Sequence, residues 1–359
     1  CQQKATRSLQ GQQLRRLGAS RMPSSLDYEA FAAQPIPMHA QELTGEALVE
    51  YVNEKQSYFE AEYYPEVAEK RLGSLMKMEY LRSPPGEYLA MMLEESNAKE
   101  EIPESFDARE KWKNCTSIGY IRDQSNCGSC WAVSAAETMS DRLCIHTYGK
   151  RKTILSDTDI LSCCGTYCGY GCEGGYAIRA WGFARDSGVC SGGRYETTDN
   201  CKPYVFYPCG WHSGHKYYGE CPYDHTFATP ACKQYCQYGY GKRYKDDKFF
   251  VKGAFILPQN ERVIQSQIMK RGPVQAAFIV YDDFSYYRKG VYVHTAGKAR
   301  GAHAVKVIGW GVQNGTKYWT VANSWNTYWG EEGYFRILRG VNHCEFESEM
   351  IAGDFKHDI

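Results

Sequence analysis

Apolar residues fall at helical spacing in three stretches of the 359-residue chain. Residues 44–64 place Leu48, Tyr51, Val52, Tyr58 and Phe59 toward one side, which predicts a helix near 44–64 with Thr44 as its cap. After Cys130, "WAVSAAETMSDRLC" sets Val133, Ala136, Met139 and Leu143 on one stripe, so Cys130 stands at a helix start. "NERVIQSQIMKRG" predicts a third helix. From residue 249 the texture changes to strands: "FFVKGAFIL", "VQAAFIVY", "GVYVH", "HAVKVIGWG", "KYWTVANSW" and "GYFRILRG". Residues 163–245 are rich in Cys, Gly and Tyr without a period and predict disulfide-stapled loops. A helix-rich part followed by a strand-rich part indicates an α+β fold. There is no internal repeat.

The first hundred residues read differently. Residues 1–40 are rich in Gln, Arg and Ser, and poor order is expected of them. "LRSPPGEY" and the acidic "EESNAKEEIPESFDARE" predict an exposed linker, with a boundary near Ile102–Pro103. The chain thus divides into 1–101 and 102–359. Residues 1–40 hold no apolar core of a signal peptide, so a secretory signal is expected to have been removed already. No stretch reaches the ~18 apolar residues of a membrane span.

Charge narrows the picture further. Lys and Arg number 42 and Asp and Glu number 42, with no basic run, so neither nucleic acid nor a membrane surface is an expected partner. Hydrophobic content of 43% and charged content of 23% suit a soluble globular protein. Sixteen cysteines favour an oxidising compartment, hence the secretory pathway with a lysosomal or secreted destination. All but Cys1 and Cys344 lie between Cys115 and Cys236. Asn114 and Asn314 head N-x-T sequons and are candidate glycosylation sites.

The stretch "QSNCGSCW", residues 124–131, poses the chemical question. A zinc site wants a second pair at matched spacing. Cys163, Cys164, Cys168 and Cys172 follow a different rhythm, so no metal and no cofactor is expected. A thioredoxin-like site wants a βαβ unit that the pattern lacks. A nucleophilic Cys130 explains more. A helix N-terminus favours a thiolate, and a histidine can take and return the proton. His303 in "GAHAVKVIGWG" and Asn323 in "ANSW" are the candidates for the base and for the amide that aims it.

Gln124, "CGSCW", "GAHAV" and "ANSW" together resemble the papain-type cysteine proteases. His303 and Asn323 lie roughly 40 residues further from Cys130 than the usual spacing of that family. The Cys-rich stretch houses the excess. The cathepsin B branch carries such an insertion, and the resemblance to it runs from Leu43 to Gly353 through "SFDARE", "SDRLCIHT" and "SWNT". It implies a two-part fold, helix-rich first and β-barrel-like second, with the cleft between. A propeptide would occupy 1–101 and the catalytic domain 102–359.

The resemblance also implies roles. Cys130 would attack, His303 would act as acid and base, Asn323 would orient it and Trp325 would shield that bond. Gln124 and the Cys130 N–H would form the oxyanion hole. Gly174, Gly175, Tyr176 and Ala304 would line the substrate path, and Glu349 the base of the pocket for the residue two before the cut. Glu345 stands where the family usually has glycine. The disulfides would be Cys115–Cys144, Cys127–Cys172, Cys163–Cys232, Cys164–Cys168, Cys201–Cys236 and Cys209–Cys221, with Cys190 a buried free thiol.

An occluding loop near 206–228 would carry two histidines, but Trp211 replaces the first and only His212 remains. Endopeptidase action is favoured over dipeptidyl carboxypeptidase action. Protein and peptide substrates, cystatin-type inhibitors and the chain's own propeptide, acting as an intramolecular inhibitor in a zymogen, are the implied partners. "YWTVANSWNTYWGEEG" is similar to a motif of gut enzymes of blood-feeding worms, departing at Thr320 and Tyr328, which suggests haemoglobin as a substrate. The alternative is a catalytically silent, disulfide-rich binding protein on the same fold.

Overall fold

The structure, a computed structural model, describes residues 27–90, 101–212, 214–222 and 225–355. Helices α1 (Asp27–Ala32), α2 (Met38–Gln41), α3 (Gly45–Lys55), α4 (Pro65–Gly73) and α5 (Pro85–Ala90), with strand β1 (Phe59–Ala61), form the first segment. Then come β2 (Phe106–Asp107), α6 (Ala108–Lys111), α7 (Cys130–His146), α8 (Asp157–Cys163), α9 (Ala177–Asp186) and β3 (Val189–Cys190). The last part holds β4 (Lys248–Phe249), β5 (Gly253–Leu257), α10 (Glu261–Arg271), β6 (Val274–Tyr281) and β7 (Tyr287–Tyr292). It ends with β8 (Ala299–Gln313), β9 (Thr316–Ala322), β10 (Tyr334–Leu338) and β11 (Met350–Asp354).

The α+β class is as expected. The main sheet runs β1-β7-β10-β9-β8-β6-β11-β5, with β2 added on β8. This path has two ends, so the expected barrel-like half is an open sheet. One end is β1, which pairs antiparallel with β7 and covers an edge that would otherwise present unpaired backbone groups.

The first segment is better ordered than its composition suggests. Within residues 27–40, expected to be poorly ordered, lie α1 and most of α2. Tyr28 is buried in a cluster with Val291, Val293 and Leu338, so apolar anchors outweigh the polar composition. Residues 1–26 lie outside the described part. The helix expected near 44–64 is α3 and stops at Lys55. Gln56 stops it. Its side-chain amide donates to the carbonyls of Val52 and Phe59 and accepts from the N–H groups of Tyr58 and Phe59, turning the chain into β1. Thr44 occupies the cap position but makes no side-chain cap bond. Packing holds α3 instead: Leu48 and Val52 are fully buried, worth about 1.5–3 kcal/mol each.

Helix α7 differs most from its pattern. A single apolar stripe is expected, yet all 17 residues are buried. Its polar side chains find partners inside. Asp141 pairs with Lys306 of β8 at 2.8 Å, and Arg142 donates to the carbonyls of Pro273, Gly272 and Gly353. Glu137 lies 3.9 Å from Arg122 and has no hydrogen-bond partner. Burial pushes the Glu137 carboxyl up to about 7, despite the pull of Lys306 and Arg122.

Among the described residues there are six disulfides, in the pairing implied by the resemblance: Cys115–Cys144, Cys127–Cys172, Cys163–Cys232, Cys164–Cys168, Cys201–Cys236 and Cys209–Cys221. Cys130, Cys190 and Cys344 are free. Asn114 and Asn314 are exposed. Among the described residues, no helix is long and apolar enough to cross a membrane.

A carboxyl whose pKa is higher folded than unfolded stabilises the fold below its unfolded pKa and loses that contribution as pH rises through the folded value. Glu137 therefore favours acidic conditions and costs up to about 1.4 kcal/mol per pH unit between its ordinary value and about 7. Glu137→Gln is expected to flatten urea-unfolding stability between pH ~4.5 and ~7; an unchanged slope would refute this.

Candidate active site

The cleft lies where the start of α7 meets β8. Ser129, the residue before the helix, makes no cap bond to it; its hydroxyl pairs with the Tyr204 hydroxyl at 2.8 Å. The first N–H groups of α7 are thus left uncapped, a setting that favours negative charge. Cys130 is buried in one cluster with Trp131, with Ala302 and Ala304 of β8 and with Met76 of the first segment.

His303 precedes Ala304 and pairs with Phe278 in the β6–β8 register. Its Nε2 lies 2.7 Å from Asn323 Oδ1. The same oxygen accepts the Ser324 N–H at 2.8 Å, which fixes the amide orientation. An amide oxygen only accepts, so Nε2 carries the proton and Nδ1 is left basic. Nδ1 is buried without a hydrogen-bond partner. Trp325 stacks on the imidazole, ring centroids 4.7 Å apart.

Gln124 is held on three sides. Its N–H donates to Ser324 C=O, its Oε1 accepts from the Ser324 hydroxyl at 2.7 Å, and its C=O accepts from Tyr204. The remaining Nε2 donates to Cys127 C=O at 2.9 Å and to Ser74 C=O at 3.0 Å. Ser324, not singled out in the sequence, therefore couples Gln124 to Asn323. The "ANSW" motif contains it, but no spacing rule marks its role.

Residues 71–83 run along this cleft. Arg71 lies over Tyr328 and Trp325 at 5.0 and 6.0 Å. Ser74 offers its carbonyl to Gln124, and Met76 forms a two-bond antiparallel bridge with Ala302. Lys77 N–H donates to Glu173 C=O, and its ammonium pairs with the Glu173 carboxylate. Tyr80 packs edge-on against Tyr176, and Ser83 donates its N–H and hydroxyl to Glu349.

The two glycines serve different contacts. A Cβ on Gly174 (φ +135°) would fall 2.3 Å from the Tyr80 ring, whereas one on Gly175 would strike Trp131 at 2.7 Å. Bareness at Gly174 admits a passing chain; at Gly175 it admits the protein's own indole. Ala304 is buried in the same cluster as Cys130.

In this covered state burial pushes the Cys130 thiol up to about 11, against the weaker pull of nearby backbone groups. Burial also draws His303 down to about 4, against the Asn323 bond. The proton sits on sulfur and the ring is neutral. Glu349 is raised by burial, moderated by its bonds from Ser83.

In the 209–221 loop, Trp211 is 73% exposed and His212 is 3% exposed. The His212 ring nitrogens have no hydrogen-bond partner; Nε2 is 3.7 Å from Asp123, and the ring rests on Tyr328 at 4.6 Å. Burial lowers the His212 pKa, and Arg71 pushes the same way. Among the described residues, no cluster of three or more His, Cys, Asp or Glu is arranged to hold a metal ion.

Residues 102–353 match the model of the papain family of cysteine proteases. Cathepsin B-like cysteine proteinase 2 of Haemonchus contortus is 48% identical over 324 residues, covering 90% of this chain and 92% of that protein. A gut-specific cysteine proteinase of Caenorhabditis elegans is 46% identical over 320 residues, 88% of this chain and 92% of that protein. The solved structure of a procathepsin B from Trypanosoma congolense superposes with a TM-score of 0.70 at 34% identity, covering 88% of this chain and all of that one. With a free cysteine at a helix start facing a histidine strand, and these relatives along nine-tenths of its length, the chain belongs to the papain family of cysteine proteases as a cathepsin B-like proenzyme.

Proposed function

We propose that the chain is the latent form of an endopeptidase in which Cys130 attacks the peptide carbonyl. His303 Nδ1 takes the thiol proton and delivers it to the leaving amine, and Asn323 holds the ring. Gln124 Nε2 and the Cys130 N–H stabilise the oxyanion. The observation that carries this reading is the Gln124–Ser74 bond: a donor aimed into the cleft already holds a peptide carbonyl at 3.0 Å. Loss of such a donor costs about 3–4 kcal/mol in transition-state stabilisation. After trimming near Ile102, iodoacetamide should label Cys130 with one equivalent, and Cys130→Ala should abolish both labelling and peptide cleavage. A trimmed wild-type protein that neither labels nor cleaves would overturn the reading.

Residues up to 101 act as the inhibitor. A substrate whose second residue before the cut reaches Glu349 runs toward Trp325, whereas residues 71–83 run from Trp325 to Glu349. The reversed direction keeps each carbonyl of the segment from a productive approach to sulfur. Acid should weaken this cover. His303 is held at about 4 while covered, so the uncovered enzyme binds the proton more readily and gains as pH falls from about 6.5. His212, also lowered by burial, acts in the same direction, while Glu349 opposes both. In Cys130→Ser, which cannot cut itself, added protease should remove residues up to 101 faster as pH drops from ~6.5 to ~4. Uniform protection across that range would refute the acid trigger.

Endopeptidase action is supported by the loop. Carboxypeptidase action needs protonated imidazoles presented to a free carboxylate, and here Trp211 takes one place while His212 faces inward to Asp123 and Tyr328. A peptide with an amidated C-terminus should be cut as fast as its free acid, within about twofold; a tenfold preference for the acid would restore the carboxypeptidase reading. Six disulfides support maturation along the secretory route. The gut-specific relative makes secretion into a digestive lumen the favoured destination, with ingested protein such as haemoglobin as substrate.

A further inference from the structure

The segment between β10 and β11 carries two carboxylates, Glu345 and Glu349, toward residues 82 and 83, and they do different things. Glu349 is buried and receives the N–H and hydroxyl of Ser83. Glu345 stands half-exposed at the rim. The Arg82 guanidinium engages Glu345. It donates from Nη2 to the Glu345 carboxylate at 2.9 Å and to the Glu345 carbonyl at 2.7 Å, and from Nη1 to the carbonyls of Ala277 and Leu81 at 3.3 and 2.8 Å.

The backbone around Glu345 adds a second observation. Asn342, Cys344 and Glu345 all have positive φ, at 49°, 52° and 60°. Glycine adopts this conformation without strain, and a glutamate does not. The turn is nevertheless locked. Glu347 accepts from the N–H groups of Gly340 and Asn342 and from the Trp319 indole, and Asn342 Oδ1 accepts the Glu347 N–H. Glu345 is therefore held in place on a rigid, unfavourable backbone, an arrangement more often tied to function than to stability.

From these observations we infer that Glu345 is a specificity-determining residue for arginine two positions before the cut, with Arg82 occupying the place of the substrate guanidinium. Glu345 and the Ala277 carbonyl grip the guanidinium at the rim, and Glu349 sets the polarity of the floor. This inference rests on the protease reading above and extends it from one acidic group to two. Charge-assisted bonds to a planar guanidinium are directional, so a lysine in the same place would be held less well.

The test uses the enzyme trimmed near Ile102, active sites titrated, with Arg-Arg, Lys-Arg and Phe-Arg reporter peptides. Glu345→Gly relaxes the turn, and Glu345→Gln keeps the side-chain length while removing the charge. Both are expected to lower the Arg-Arg to Phe-Arg ratio of kcat/KM about tenfold, and less at high salt because the site is half-exposed. Arg-Arg should exceed Lys-Arg in the wild type only. A ratio unchanged within twofold in both variants, with Phe-Arg still cleaved, overturns the role of Glu345 while leaving the protease reading intact. A titrated wild-type enzyme that cleaves none of the reporters overturns both.

Discussion

The contact between α7 and β8 is the constraint on which the site depends. Cys130 and Asp141 share the helix; His303 and Lys306 share the strand. The buried Asp141–Lys306 pair at 2.8 Å fixes one element against the other at a point remote from the thiol. Removing one member of such a pair strands a charge and costs about 3–5 kcal/mol, so the helix has little freedom to slide. The chemistry then needs few further positioning devices. Ser324 joins Gln124 to Asn323, and Trp325 covers the ring. The separation of sulfur and imidazole is set by the packing of two rigid elements rather than by a loop.

The first segment uses this rigidity. It threads the cleft and satisfies each group in turn: a carbonyl for Gln124, a bridge for Ala302, donors for Glu349, a guanidinium for Glu345. The chemical effect of this cover lies in solvation. With water excluded, the thiol keeps its proton and the imidazole stays neutral. In the proposed latent form, burial and the direction of the covering chain act together.

Much of the architecture was legible in the sequence. The strands of the second half alternate or run apolar, and the pattern of "NERVIQSQIMKRG" is realised as α10; the Asn260 side chain that caps it, accepting from the Val263 N–H, came to view only in the structure. What escaped was set by tertiary partners. The stop of α3 depends on the four bonds of Gln56, which no periodicity encodes. The full burial of α7 was hidden because Glu137, Asp141 and Arg142 look like a solvated face until Arg122, Lys306 and the carbonyls they meet are in view. At the site, the motif residues stood out one by one, but the linking role of Ser324 and the occupancy of Glu345 by Arg82 arise between segments far apart in the chain.

Strand β1 has a consequence for the processed enzyme. Once residues up to 101 are trimmed as proposed, β7 becomes a sheet margin with open backbone donors and acceptors. Arg288 and Lys289 project there, now neutralised by Glu62 and Glu60. Their release leaves adjacent cations along the bared margin, and like charges of this kind discourage a second molecule from stitching itself on. The same salt links that fasten the covering segment thus leave behind a built-in guard against clumping once it is gone.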